Sequence, residues 1–153
     1  MSVTDRDLGW KAIKTEIARA KKMEVAVGIL AGSSADGESI AEYAAYNEFG
    51  TKSVPSRPFM AMSFDENVSA IDSDFLRQGN RIVTGKITAG QALTIVGQKH
   101  ASRIQNTITD RDIPPRLSPR TVAVKGSTKT LVDSGAMVNA VQISVRRRTR
   151  GNK

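Results

Sequence analysis

The stretch Tyr46-Asn47-Glu48-Phe49-Gly50-Thr51-Lys52-Ser53-Val54-Pro55-Ser56-Arg57-Pro58-Phe59 decides how the chain folds. It reads as the end of one helix, a stiffened elbow and the start of another. Gly50 suits the residue just past a helix, where a left-handed backbone turn satisfies the last carbonyls. Pro55 biases Val54 toward an extended conformation, and Pro58 does the same for Ser56-Arg57. Proline is tolerated in the first turn of a helix, so Pro58 can open the next one. Phe49 and Phe59 bracket the elbow and are expected to pin it to a core. Nothing in the stretch is arranged to make or break a bond. It is suited to holding a bend at a fixed angle.

Upstream, Ser39-Ile40-Ala41-Glu42 has the reciprocal capping-box pattern and predicts a short helix through Phe49. Its small residues Ala41, Ala44 and Ala45 let it lie close against a neighbour. Before it, Glu24–Leu30 reads as a strand, with Val25, Val27 and Ile29 on one face. Ala26 and Gly28 on the other face are small, so something is expected to pack closely there. The segment 32–37 reads as an exposed loop and lacks the spacing and terminal lysine of a phosphate-binding loop. Thr4, with Asp5 and Asp7, is placed to cap a first helix. Trp10, Ile13, Ile17 and Ala20 form its apolar stripe. Lys11, Lys14, Arg19, Lys21 and Lys22 fall outside the stripe or near its C-terminal end. A phosphate-binding role for this helix lacks a second supporting feature in the sequence.

Downstream, Phe64, Val68, Ile71, Phe75 and Ile82 recur at helical spacing, with Phe59 and Met62 extending the apolar surface. Gly85 is expected to end this long helix. Thr88-Ala-Gly-Gln91 is a second capping box, opening a helix with Leu93, Val96, His100, Ile104 and Ile108 along one face. The pair predicts an antiparallel helical hairpin. Residues 110–117 break regular structure. Ser118 caps, Pro119 starts and Gly126 stops a short helix. Residues 127–130 read as a polar turn, and Asp133 is placed to cap one more helical turn through Asn139. Last comes a strand at 140–145, alternating Val141, Ile143 and Val145 with Gln142 and Ser144. It is expected to pair with the strand at 24–30. Two strands alone are marginal, so a third is expected near Lys129–Val132 or from a neighbouring subunit. The expected fold is α+β: a small antiparallel sheet, strands near 24–30 and 140–146, packed with several helices including the long hairpin. Residues 1–145 form a single domain and 146–153 a basic tail.

A chain of 153 residues is one domain with an ordinary core, hiding roughly two-thirds of its unfolded surface. There is no cysteine, which excludes disulfides and thiolate metal sites and suits a reducing compartment. The N-terminal Met-Ser-Val-Thr-Asp-Arg-Asp is unlike a secretory signal, and no apolar run approaches the ~20 residues a bilayer requires. The net charge is +8. Residues 1–90 carry 11 Lys/Arg against 12 Asp/Glu, and residues 91–153 carry 12 against 3. Between Asp36 and Asp74 eight acids stand against Lys52 and Arg57. Two solvated faces explain this pattern. So does self-complementarity, with the acidic middle of one subunit meeting the basic end of the next, and head-to-tail contacts of that kind close into rings.

No catalytic set emerges. Glu42 and Glu48 lie on different faces of their helix, without a nucleophile. His100, the single histidine, reads as a packing residue, because one histidine without cysteines or a matched acid cluster does not build a usual transition-metal site. No metal and no cofactor are expected, and the chain is not expected to be an enzyme. The end of the chain, Arg146-Arg147-Arg148-Thr149-Arg150-Gly151-Asn152-Lys153, carries five cations and no aromatic. That argues against stacking on single strands and leaves sequence-blind phosphate contact through Arg146, Arg147, Arg148 and Arg150, or a solubilising or docking tail.

Tyr46-Asn47-Glu48-Phe49-Gly50-Thr51 followed by Pro55-Ser56-Arg57-Pro58-Phe59 resembles a signature of tailed-bacteriophage neck proteins: the tail-completion, head–tail joining and minor tail proteins. The run Leu117-Ser118-Pro119-Arg120-Thr121, Lys125-Gly126 and Leu131-Val132-Asp133-Ser134-Gly135-Ala136-Met137 is similar to the same family's second signature. The two lie in the expected order and span most of the chain. The resemblance implies a structural virion protein that forms a ring at the neck or head-proximal end of the tail. Six copies are the expectation, twelve the alternative. Its partners would be copies of itself and the adjacent neck, connector and tail proteins, with non-specific contact to genomic DNA and none to a membrane. It would sit in the virion, and in the host cytoplasm during assembly. The alternative reading of the residues is a stand-alone basic DNA-binding protein.

Overall fold

The structure, a computed structural model, describes residues 9–30, 32, 34–35, 38–126, 131 and 135–148. Among these residues six helices and two pairs of strands follow one another: α1 (Trp10–Ala20), β1 (Met23–Ile29), β2 (Ser34–Ala35), β3 (Glu38–Ser39), α2 (Ile40–Phe49), α3 (Phe59–Val83), α4 (Ala89–Asp110), α5 (Pro119–Lys125), α6 (Ala136–Asn139) and β4 (Val141–Arg147). The fold is the expected α+β one, with β1 and β4 joined in an antiparallel two-stranded sheet and α3 packed on α4. Among the described residues this sheet has no third strand. Part of the segment read as a loop is instead a short hairpin, with Ser34 paired to Ser39 and Ala35 to Glu38.

The helix ends follow from local side chains. Thr121 N–H donates to Ser118 Oγ (3.1 Å) to open α5. The Thr88–Gln91 box is fully reciprocal: Gln91 N–H donates to Thr88 Oγ1 (3.3 Å) and Thr88 N–H to Gln91 Oε1 (2.9 Å). At the end of α3 Gly85, at φ +68°, closes a Schellman turn. Its N–H donates to the Ile82 carbonyl, and Lys86 N–H to that of Arg81. Two expected caps differ. Gly9, not Thr4, holds the N-cap of α1, and Gly135, not Asp133, holds that of α6. Thr4, Asp5, Asp7, Asp133 and the turn at 127–130 lie outside the described residues.

The chain divides into two compact units. Unit 1 comprises residues up to Ala26, Ser69–Gly97 and Ser144 onward; unit 2 comprises Val27–Val68 and Gln98–Ile143. Unit 1 has a core of Ile82, Ala89 and Ala92, covered by Ile17, Ala20, Met23 and Ile87. Unit 2 has the larger core, built from Ala44, Phe59, Ala101, Ile104, Ile108, Ile113, Leu131, Met137 and Val141. The small Gly28 does admit a close neighbour: a Cβ there would stand 3.5 Å from the Met60 side chain.

The stripe expected on α3 is only partly the buried one. Ile71 and Ile82 are buried, but Phe64, Val68 and Phe75 are exposed. The inward face instead runs Phe59, Ser63, Ile71, Asp74, Gln78, Ile82. Spacings of four and three put these on one side of the helix, and half of them are polar. On α4 the expected stripe holds, with Val96, Ile104 and Ile108 buried.

Candidate functional site: a braced elbow and its apolar groove

Between α2 and α3 the backbone turns through a closed set of hydrogen bonds. Gly50 N–H ends α2 on the Tyr46 carbonyl (2.9 Å). Thr51 N–H donates to the Val54 carbonyl (2.8 Å), and Val54 N–H returns to Thr51 Oγ1 (3.0 Å). Arg57 N–H then reaches back to the Asn47 carbonyl (2.6 Å), and Ser56 Oγ donates to that of Glu48 (2.8 Å). Asn47, almost wholly buried, is held in turn by its Nδ2 on the Tyr43 carbonyl (2.9 Å). Both arms of the bend are thus cross-linked to each other.

Glu48 adds the firmest brace. Its two carboxylate oxygens accept the backbone N–H groups of Met60 (2.9 Å) and Ala61 (3.0 Å). Pro58, in the cap position of α3, has no side-chain acceptor of its own. The first amides of α3 are therefore capped by a carboxylate from the last turn of α2, which also suits the positive end of the helix dipole. This is a structural task and leaves the Glu42/Glu48 pair without an acid–base arrangement. Glu42 is engaged separately: it accepts the Tyr46 hydroxyl, and that hydrogen bond, followed by the carboxylate's charge, raises the phenol above its ordinary pKa.

The two phenylalanines have opposite fates. Phe59 is 0% exposed at the centre of unit 2, as expected. Phe49 is 81% exposed, so it does not pin the elbow to the core. It stands beside an open groove of about 590 Å³ lined by Val27, Ile29, Ala41, Ala44, Ala45, Met60, Phe64 and Ile104, with Glu48, Asp65 and His100 among the polar members. Phe64 meets the His100 ring edge-on, at 6.2 Å between centroids. Burial, and then the charge of Arg103, lowers the pKa of His100, and its buried Nδ1 has no hydrogen-bond partner among the described residues. His100 is thus a neutral packing residue of the groove wall.

The second signature lies in the same unit. Ser118, Pro119 and Gly126 delimit α5, Leu131 and Met137 join Phe59 in one core cluster, and α6, which Gly135 opens, contacts α2. The Arg57 guanidinium, also buried, donates through Nε to the Pro115 carbonyl (3.1 Å) and ties the elbow to the segment before α5. The fold therefore gathers two stretches about sixty residues apart around one core. The side chain of Lys125, like Asp133, is outside what is described.

Half of the eight acids of the middle segment are engaged or buried within the chain. Besides Glu42 and Glu48, Glu66 pairs with Arg111 (2.6 Å), and Asp74 is buried. Asp65 and Asp72 remain exposed. This weakens charge as the means by which a copy would recognise the acidic middle of another. At the other end Arg146 pairs with Glu24 (2.8 Å), Arg147 and Arg148 are exposed, and Arg150 lies outside the described residues.

Among the described residues no three of His, Cys, Asp and Glu gather as a metal site, and no helix is long and apolar enough to cross a membrane. No family model matches the chain, and no curated protein or solved structure matches it.

Proposed function

We propose that the chain is a structural virion protein of a tailed phage, a subunit that closes with copies of itself into a ring at the neck or head-proximal end of the tail. There it would complete the tail and join it to the head, by shape and without a reaction. One conjunction carries the reading. The stretch that resembles the neck-protein signature is a braced corner, and beside that corner an aromatic side chain stands in water at the rim of an apolar groove. Exposed apolar surface with a polar rim is the usual form of an interaction site, and a fixed corner sets the angle at which successive copies meet. A hexamer is the expected ring, with adjacent neck, connector and tail proteins as further partners.

Native mass measurement of the wild type and of Phe49→Ser tests this. The expected result is a ring for the wild type, a monomer for the variant, the same melting temperature for both, and loss of the variant from assembled particles. A wild-type chain that stays monomeric beside its neck partners and is absent from particles overturns it. The alternative, a stand-alone basic DNA-binding module, has the concentration of charge in unit 1 in its favour. Sequence-selective binding by a monomer or dimer would support it, and weak binding by a large ring would not.

A further inference from the structure

The fold sorts charge between its two units. Among the described residues unit 1 carries eleven Lys/Arg against four Asp/Glu, and unit 2 carries eight against seven. In the linear chain the excess belongs to residues 91–153. In the fold, α1 with the turn after it and the end of β4 pool most of it. Three of the four acids in unit 1 are already committed. Glu16 pairs with Arg19 (2.7 Å) and caps Ala89 N–H (2.9 Å), Glu24 holds Arg146, and Asp74 is buried.

What remains lies along α1 and at the end of β4 beside it. Lys14 and Lys21, seven residues apart on α1 and its C-cap, lie on one flank of the helix, about a quarter turn from the inward-facing Ile13, Ile17 and Ala20. Lys22 follows in the turn, and its carbonyl accepts Arg148 N–H (2.8 Å), which sets the end of β4 against the end of α1. Strand alternation puts Arg148 on the side of the paired Arg146 and turns Arg147 to the opposite side. All of these cations are exposed. Arg148 is the second feature that α1 lacks when the sequence is read alone.

We propose that Lys14, Lys21, Lys22 and Arg148 bind the phosphate backbone of double-stranded DNA without reading its sequence. An acidic protein partner would be anchored by a buried apolar centre ringed with charge, whereas Trp10, exposed among these cations, is covered by Lys14 Nζ at 5.8 Å from its ring. Base readout needs Asn, Gln or Arg presented in a groove by one element, and single-strand binding needs a series of aromatics. Phosphate contact needs only placed cations. The proposal does not rest on the ring reading.

The test is anisotropy of the full chain on a labelled duplex of mixed sequence across a salt series. Four contacts predict a slope of log K against log salt near −3.6, or about a 150-fold loss between about 50 and 200 mM salt. The K14Q/K21Q/K22Q variant should reduce the slope by about 2.7 and R148Q by about 0.9, while R147Q, on the other side of the strand, and R120Q in unit 2 leave it unchanged. Far-UV circular dichroism and melting temperature check that each variant is folded, and Trp10, the single tryptophan, reports occupancy of α1 by its fluorescence. A folded K14Q/K21Q/K22Q chain with the wild-type slope overturns the proposal. So does absence of binding at low salt, or competition by poly-glutamate as strong as that by duplex.

Discussion

Gly50 is the residue on which the elbow is most demanding. Its backbone sits at φ +76° and ψ 166°, a region that is essentially glycine's alone. A Cβ there would stand 2.9 Å from the Ser56 amide nitrogen, and backbone does not yield as a side-chain tip does. Gly50→Ala should therefore cost about 3 kcal/mol in denaturant unfolding. Gly85 offers a control, being left-handed but with nothing within 4 Å of its Cβ position, so Gly85→Ala should cost only about 1 kcal/mol. Equal losses would show that torsion, and not the contact with Ser56, governs the elbow. His100 makes a separate prediction. Burial holds its folded pKa below the ordinary 6.5, so below that pH the unfolded chain binds the extra proton and folding weakens. Stability measured by denaturant should fall as pH drops from 7 through 6.5 toward the lowered value, and His100→Gln should flatten that window.

At the scale of elements, the cap that Glu48 lends to α3 decides how two helices hold their angle. Glu48→Ala leaves the Met60 and Ala61 amides without that acceptor and should cost about 1–2 kcal/mol, with Glu48→Gln in between because one oxygen and no charge remain. If the alanine variant unfolds at the wild-type denaturant concentration, the brace contributes nothing. The same cap shows what a sequence can and cannot disclose. The Ser118 and Thr88 caps and the Gly85 stop were legible, because each acts on a partner at a fixed short offset. Glu48 to α3, Arg57 to Pro115 and Arg148 to Lys22 were not, because no spacing rule links their partners. The buried face of α3 was hidden for another reason. Ser63, Asp74 and Gln78 occupy inward positions, so hydrophobic periodicity favoured Phe64, Val68 and Phe75, which face water. The elbow itself was legible from glycine and proline, but the outward turn of Phe49 was not, since an aromatic beside a bend fits a core or a partner equally well.

For the whole molecule, two surfaces of opposite chemistry follow from these placements, and salt separates them. Phe59 and Phe49 belong to the same signature, yet Phe59→Ala empties a fully buried site and should cost about 3–5 kcal/mol, so its effect on assembly would only report unfolding. Phe49→Ser touches exposed surface and should leave stability within about 0.5 kcal/mol, so it isolates the contact. If copies meet through Phe49 and the apolar groove of unit 2, sulfate should preserve or strengthen the ring, because excluded salts favour apolar burial. The cations of unit 1 should behave in the reverse way, shedding DNA as salt rises. Light scattering and duplex anisotropy on the same samples read both. Persistence of the ring at a salt concentration that strips the DNA is the expected outcome. Dissociation of ring and DNA together would place charge at the contact between copies. The acidic middle segment would then have to meet the basic end of a neighbour after all, although half of its eight carboxylates are engaged or buried within their own chain.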